Sequence, residues 1–141
     1  MHVHSSLMLL AAAMTLSSLC PGVPQEQDRY QRLIARLDTL TVTGGSRGGP
    51  YVGITDNEAT KAIVKEGNKI VPALIAHIDK ANVPGAIFTV YCLRQLRAKS
   101  ATVKIQELRK ALERGTRFAG VRRDLTLEVQ IKYFLRDAKS W

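Results

Sequence analysis

Apolar residues along most of this chain recur at intervals of three and four, the spacing of one helical face. Between Pro84 and Arg97 the pattern changes. Ile87, Phe88, Val90, Tyr91, Cys92, Leu93 and Leu96 cover most of a helical circumference there, and only Thr89, Arg94, Gln95 and Arg97 are polar. A helix that is apolar nearly all round lies buried among other elements, so the rest of the chain is expected to supply helices around it. Pro84 suits a first helical turn, where its missing N–H costs nothing. The Leu-Arg-Gln-Leu-Arg ending favours a helix over a short buried strand.

The flanking pattern supplies such helices. Tyr30, Leu33, Ile34, Leu37 and Leu40 form a stripe that predicts a helix over 25–40, with Glu26 and Asp28 in the dipole-favoured first turn. Thr55 and Glu58 stand at capping-box spacing, with Ile54 and Ala59 placed as a hydrophobic staple, so a short helix is expected to start there and end at Gly67. Asn68 reads as the next cap, Pro72 falls in that helix's first turn, and Ile70, Val71, Leu74, Ile75 and Ile78 form its stripe. After a turn at 98–100, Ala101, Ile105, Leu108 and Leu112 carry a helix that stops before Gly115.

Two stretches are less regular. Residues 41–54 hold five glycines and Pro50, which read as a loop. Phosphate-loop chemistry fails there, because Pro50 follows Gly49 where a lysine would be needed; Arg47 and Tyr51 remain as residues a binding loop could use. Leu125 to Tyr133 alternates like a strand, yet Leu127, Ile131, Phe134, Leu135 and Ala138 also form a helical stripe. A lone strand would leave its backbone groups without partners, so helix is expected.

The fold class expected is therefore all-α, about six helices in one domain over 25–141. Low aromatic content, 6%, agrees with aliphatic helices better than with a β-sandwich. Residues 1–24 stand apart. Leu7 to Leu19 is an uncharged run of 13 residues, shorter than the roughly 20 a bilayer-spanning helix needs. It reads as the hydrophobic region of an export signal, although no Lys or Arg precedes it. Cleavage after Gly22, lipidation at Cys20, or retention as an anchor are all open, and a membrane is expected as a partner only through an uncleaved or lipidated N-terminus. The location expected is periplasmic, secreted or envelope-associated.

Charge sharpens the picture. Of a formal +9, the segment from Arg94 to Arg123 accounts for +8, with ten basic residues against Glu107 and Glu113. Arg94, Arg97, Lys104, Arg109, Lys110, Arg114, Arg117, Arg122 and Arg123 are the candidate binding residues, for which nucleic acid, acidic polysaccharide or an anionic membrane surface is the matching class of partner. Phe118 is the one aromatic available there for stacking on bases.

Catalytic constellations are not evident. Beyond residue 24 the chain has one histidine, His77, and one cysteine, Cys92. The histidine has no ligand at metal-binding spacing and is expected to face solvent or to stand at the core edge; the cysteine is expected to be an inert core residue. No cofactor or metal is expected, and the chain reads as a non-enzyme.

The stripe Val71, Leu74, Ile78 recurs as Ile105, Leu108, Leu112 at an offset of 34, a period typical of repeat arrays. The run Gly67-Asn68-Lys69-Ile70-Val71-Pro72-Ala73-Leu74-Ile75-Ala76-His77-Ile78 resembles the opening of a second repeat helix in HEAT-like repeats of the armadillo-type superfamily, and Tyr91-Cys92-Leu93-Arg94-Gln95-Leu96-Arg97 resembles the first helix that follows. The resemblance covers residues 55–114. It implies a short helical superstructure and a binding role, with a protein as the usual partner. Some relatives are bilin lyases or bind nucleic acid, but no catalytic residues match here.

Overall fold

The computed structural model describes residues 23–42, 57–119 and 125–141. The expected export segment with Cys20, nearly all of the glycine-rich loop with Arg47 and Tyr51, and the basic residues Arg122 and Arg123 lie outside them. The described residues form six α-helices and no strand: α1 (Val23–Ala35), α2 (Glu58–Lys65), α3 (Val71–His77), α4 (Val83–Gln95), α5 (Thr102–Glu113) and α6 (Leu125–Ala138). None is long and apolar enough to cross a membrane. Val23 and Pro24, assigned by sequence to the leading segment, belong to α1.

α4 is the centre. Gly85 through Leu93 are buried without interruption, as an all-round apolar helix requires. It packs most extensively on α6 and also touches α2, α3 and the 3-10 turn at Arg36–Thr39. The alternation in 125–133 resolves as helix: Leu127, Ile131, Phe134 and Ala138 all face the core, and the Phe134 ring meets the Trp141 ring edge-on with centroids 5.2 Å apart. An α-helix satisfies its backbone groups within itself, which a strand without a neighbour could not do.

Three local expectations are corrected. First, the helix expected over 25–40 stops at Ala35 and continues as a 3-10 turn, Arg36–Thr39. The tighter winding buries Leu37 completely and aims Asp38 at the junction between α3 and α4. Second, α2 is capped by Asn57, not by Thr55. Asn57 Oδ1 accepts from the Thr60 N–H at 2.9 Å, and the Thr60 hydroxyl accepts from the Asn57 N–H at 3.1 Å. Glu58 is then the first helical residue, too early to close a box. Third, Asn68 caps nothing. Gly67, at φ +71°, leads straight into a 3-10 turn at Gly67–Ile70 that runs into α3, so no extended residue is available for a side-chain cap.

Helices α4 and α5 end alike. The Ala98 N–H reaches the Leu93 carbonyl and the Arg97 N–H the Arg94 carbonyl; the Thr116 N–H reaches the Ala111 carbonyl and the Gly115 N–H the Leu112 carbonyl. Both are Schellman ends, which need a left-handed residue. Gly115 supplies it at φ +67°, and at the other end Arg97 does so at φ +49°.

Asp38 organises the α3–α4 junction. Its carboxylate lies 3.1 Å from His77 Nε2, and its carbonyl accepts from Asn82 Nδ2 at 2.8 Å. Asn82 Oδ1 in turn caps α4 by accepting from the Gly85 N–H at 2.8 Å. His77 therefore sits at the core edge, one of its two expected places, with its side chain 14% exposed. Gly85 is what lets Asp38 approach, since a Cβ there would fall 1.7 Å from Asp38 Oδ1. Gly85→Ala is therefore expected to lower the unfolding free energy by about 1 kcal/mol, the clash outweighing the better helix propensity of alanine. Urea denaturation should show that Asp38→Ala costs less in the Gly85→Ala background than alone. Equal costs would mean that the close approach does not matter.

Candidate functional site

Among the described residues, the cations marked by sequence do not form one open face. Arg94 donates through Nε to Asp137 at 2.7 Å, and its guanidinium lies over the Tyr133 ring. Lys104 pairs with Asp79 at 2.7 Å, which raises its pKa, chiefly through that hydrogen bond. Arg109 pairs with Glu113 at 3.1 Å along α5. Arg117 donates to the Ile78 and Ala81 carbonyls at 2.6 and 3.0 Å, neutralising the carboxyl end of α3. Arg97, Lys110 and Arg114 are the members left exposed and without an ion pair among the described residues.

A different site emerges between α5 and α6. Lys99, just before α5, donates to the Trp141 carbonyl, just after α6, at 2.7 Å. The two helices thus run in opposite directions, and a groove of about 750 Å³ opens between them. Its floor is Leu112, Ile131, Leu135 and Ala138. Ile131 and Ala138 are nearly covered by the core beneath, whereas Leu112 and Leu135 are half-buried and face the opening. The rim carries five cations, Lys99, Arg109, Lys132, Arg136 and Lys139, against two acids, Glu113 and Glu128.

Helical periodicity builds this lining. On α6, Ile131, Leu135 and Ala138 stand at i, i+4 and i+7, and Lys132, Arg136 and Lys139 repeat the spacing one residue on. An apolar stripe and a basic stripe therefore run side by side. On α5, Thr102, Gln106, Arg109 and Glu113 line the opposite wall.

The antiparallel pairing also sorts charge along the groove. Lys99, Arg136 and Lys139 share the end where α5 begins and α6 finishes, while Glu113, Glu128 and the engaged Arg109 share the other. The distance from the level of Glu128 to that of Lys139 is about 16 Å, from the rise per residue of a helix. Lys139 and Lys132 make no ion pair among the described residues.

Arg109 is the one member of the sequence-marked set in this groove. Lys132, Arg136 and Lys139 were missed because the charge census followed a continuous segment that ended at Arg123. Their i, i+4, i+7 spacing beside an apolar stripe was the signal that could have found them.

Among the described residues no three His, Cys, Asp or Glu side chains are grouped as metal ligands would be. Cys92 is fully buried in α4 and is not in a disulfide. The chain matches no protein-family model, no curated protein and no solved structure.

Arg136 is anchored by Asp137 at 2.8 Å, and Asp137 also receives Arg94. Hydrogen bonds from Arg136 and then Arg94 hold the Asp137 carboxyl below the usual carboxylate range. Its pKa is lower folded than unfolded, so this contribution to stability is complete above about pH 4 and is lost as the pH falls through the lowered value. Asp137→Asn should therefore flatten the acid limb of a urea-midpoint profile below about pH 4. An unchanged acid limb would show that the arginines do not stabilise the carboxylate.

Proposed function

We propose that this chain is an exported, non-enzymatic helical interaction module of HEAT-like type, and that its contact surface is the groove between α5 and α6. The observation that carries the reading is the groove itself. It combines an apolar floor with a cationic rim on rigid helices, the mixture of apolar lining and a few convergent polar groups that binding sites use. Support for a repeat array comes from the recurrence of the stripe Val71, Leu74, Ile78 as Ile105, Leu108, Leu112, and from the order helix, 3-10 turn, helix in both α2–α3 and α4–α5. Support for export comes from the Leu7–Leu19 run in the sequence.

A second reading, polyanion binding, is favoured by Arg97, Lys110 and Arg114, exposed cations outside the groove. The two readings separate by salt, since polyanion binding weakens steeply as salt rises and seating on an apolar floor does not.

The test uses the full chain and anilinonaphthalene sulfonate, a small apolar anion whose fluorescence rises in an apolar site. Binding at one site is expected, with affinity falling about tenfold on Leu135→Gln, roughly the loss of one half-buried aliphatic side chain, while near-ultraviolet circular dichroism stays unchanged. Binding unaffected by that substitution would sink the groove reading. Retention on heparin at physiological salt, lost in Lys110→Ser with Arg114→Ser, would favour the second.

A further inference from the structure

We infer that the α5–α6 groove takes a single-chain anionic lipid, with a phosphate-monoester headgroup at the end formed by Lys99, Arg136 and Lys139 and the acyl chain along Leu112, Ile131 and Leu135. This deepens the groove reading and rests on it.

Size decides first between a macromolecular and a small partner. A slot about 16 Å long, no wider than the roughly 10 Å between the axes of packed helices, has a footprint of at most about 160 Å². A stable protein–protein interface covers about 800 Å² per partner, so a docked helix or domain would have to rest mostly on surface outside the groove. The volume of about 750 Å³ falls within the range of small-ligand sites. An elongated slot with an apolar floor suits an extended hydrocarbon chain, which needs length and no hydrogen-bond partners along it.

Charge then decides the headgroup and its direction. Three cations gather at one end, and two acids stand at the other. A carboxylate would match one of the two cations without a carboxylate partner, Lys99 and Lys139, whereas a phosphate monoester carries about −1.5 to −2 at neutral pH and three acceptor oxygens. The cations have capacity to spare. Lys139 has no ion pair among the described residues and Lys99 spends one donor on the Trp141 carbonyl, while Arg136 is matched by Asp137 through Nε and lies over the Tyr133 ring, with its terminal nitrogens left as donors. The cation at the other end, Arg109, is already matched by Glu113, whereas Lys99 and Lys139 have no carboxylate partner among the described residues, so the lipid has one favoured orientation. The Thr102 hydroxyl lines the same cationic end, although it donates to the Lys99 carbonyl at 2.6 Å and can there only accept.

The experiment titrates the full chain by calorimetry with lysophosphatidic acid below its micellar concentration. Comparison titrations use lysophosphatidylcholine, which presents a zwitterionic headgroup on the same chain, and glycerol phosphate, which has no chain. Saturable one-to-one binding is expected, weakened about tenfold or more for the zwitterionic headgroup, the worth of a charge-assisted hydrogen bond, and undetectable without the chain. Lys99→Gln and Lys139→Gln, both exposed substitutions that leave the core intact, should each weaken lysophosphatidic acid severalfold, whereas Lys110→Gln with Arg114→Gln on the outer side of α5 should not. Equal affinity for the two headgroups, or equal loss in the outer-face variant, would overturn the inference. If the dye still binds in a Leu135-dependent way while lysophosphatidic acid does not, the ligand class is wrong and the groove reading stands. If neither binds, both fall. Displacement of the dye by an acidic amphipathic peptide, but not by lysophosphatidic acid, would assign the groove to a protein partner instead.

Discussion

The burial of α4 on every side is the constraint from which the rest of the structure follows. Nine consecutive residues, Gly85 to Leu93, lie inside, so no single neighbouring helix can cover them. Water would be excluded from such a helix only by partners on several sides, and α2, α3, α6 and the turn at 36–39 provide them. Each of those elements then has one face committed to α4, while α2 and α3 also meet α1 and α6 also meets α5. This accounts for the amphipathic character of α2 and α6.

Where several elements converge on one rod, their ends have to be fixed individually, and three polar devices do this. Asp38 bridges to His77 and Asn82 at the start of α4. Arg117 reaches back across the chain to the carbonyls at the end of α3. Arg29 pairs with Glu66, holding α1 to the end of α2. All three join residues 36 or more positions apart. They draw on basic and acidic side chains that a composition count would assign to the solvent, and the basic segment is partly engaged in the same way, through Arg117 here and through Arg94, Lys104 and Arg109 on Asp137, Asp79 and Glu113.

The helices themselves were legible because their signals are local. Periodicity placed all six, and the all-round apolar pattern of 84–97 identified the central one. Competition between two periods in 125–133 was settled by counting backbone hydrogen bonds, a criterion that needs no structure. The errors share one cause. The stop at Ala35, the cap at Asn57 and the idle Asn68 each depend on what meets the backbone there, and a three-residue spacing such as Thr55–Glu58 does not reveal it. The groove was illegible for the same reason on a larger scale. Lys99 and Lys139 are forty positions apart in sequence and become neighbours only because α5 and α6 run antiparallel. Half of the pattern, the paired stripes on α6, was nevertheless present in the sequence.

The two Schellman ends carry one more consequence. They share the same hydrogen bonds, yet one turns on Gly115 and the other on Arg97. A branched backbone position held left-handed costs about 1 kcal/mol relative to glycine. In population terms that is roughly fivefold in the ratio of folded to unfolded molecules. At any moment, then, several times more copies of this chain are open to proteases than would be if glycine ended α4 as it ends α5, and the difference is the standing cost of keeping a guanidinium at that corner.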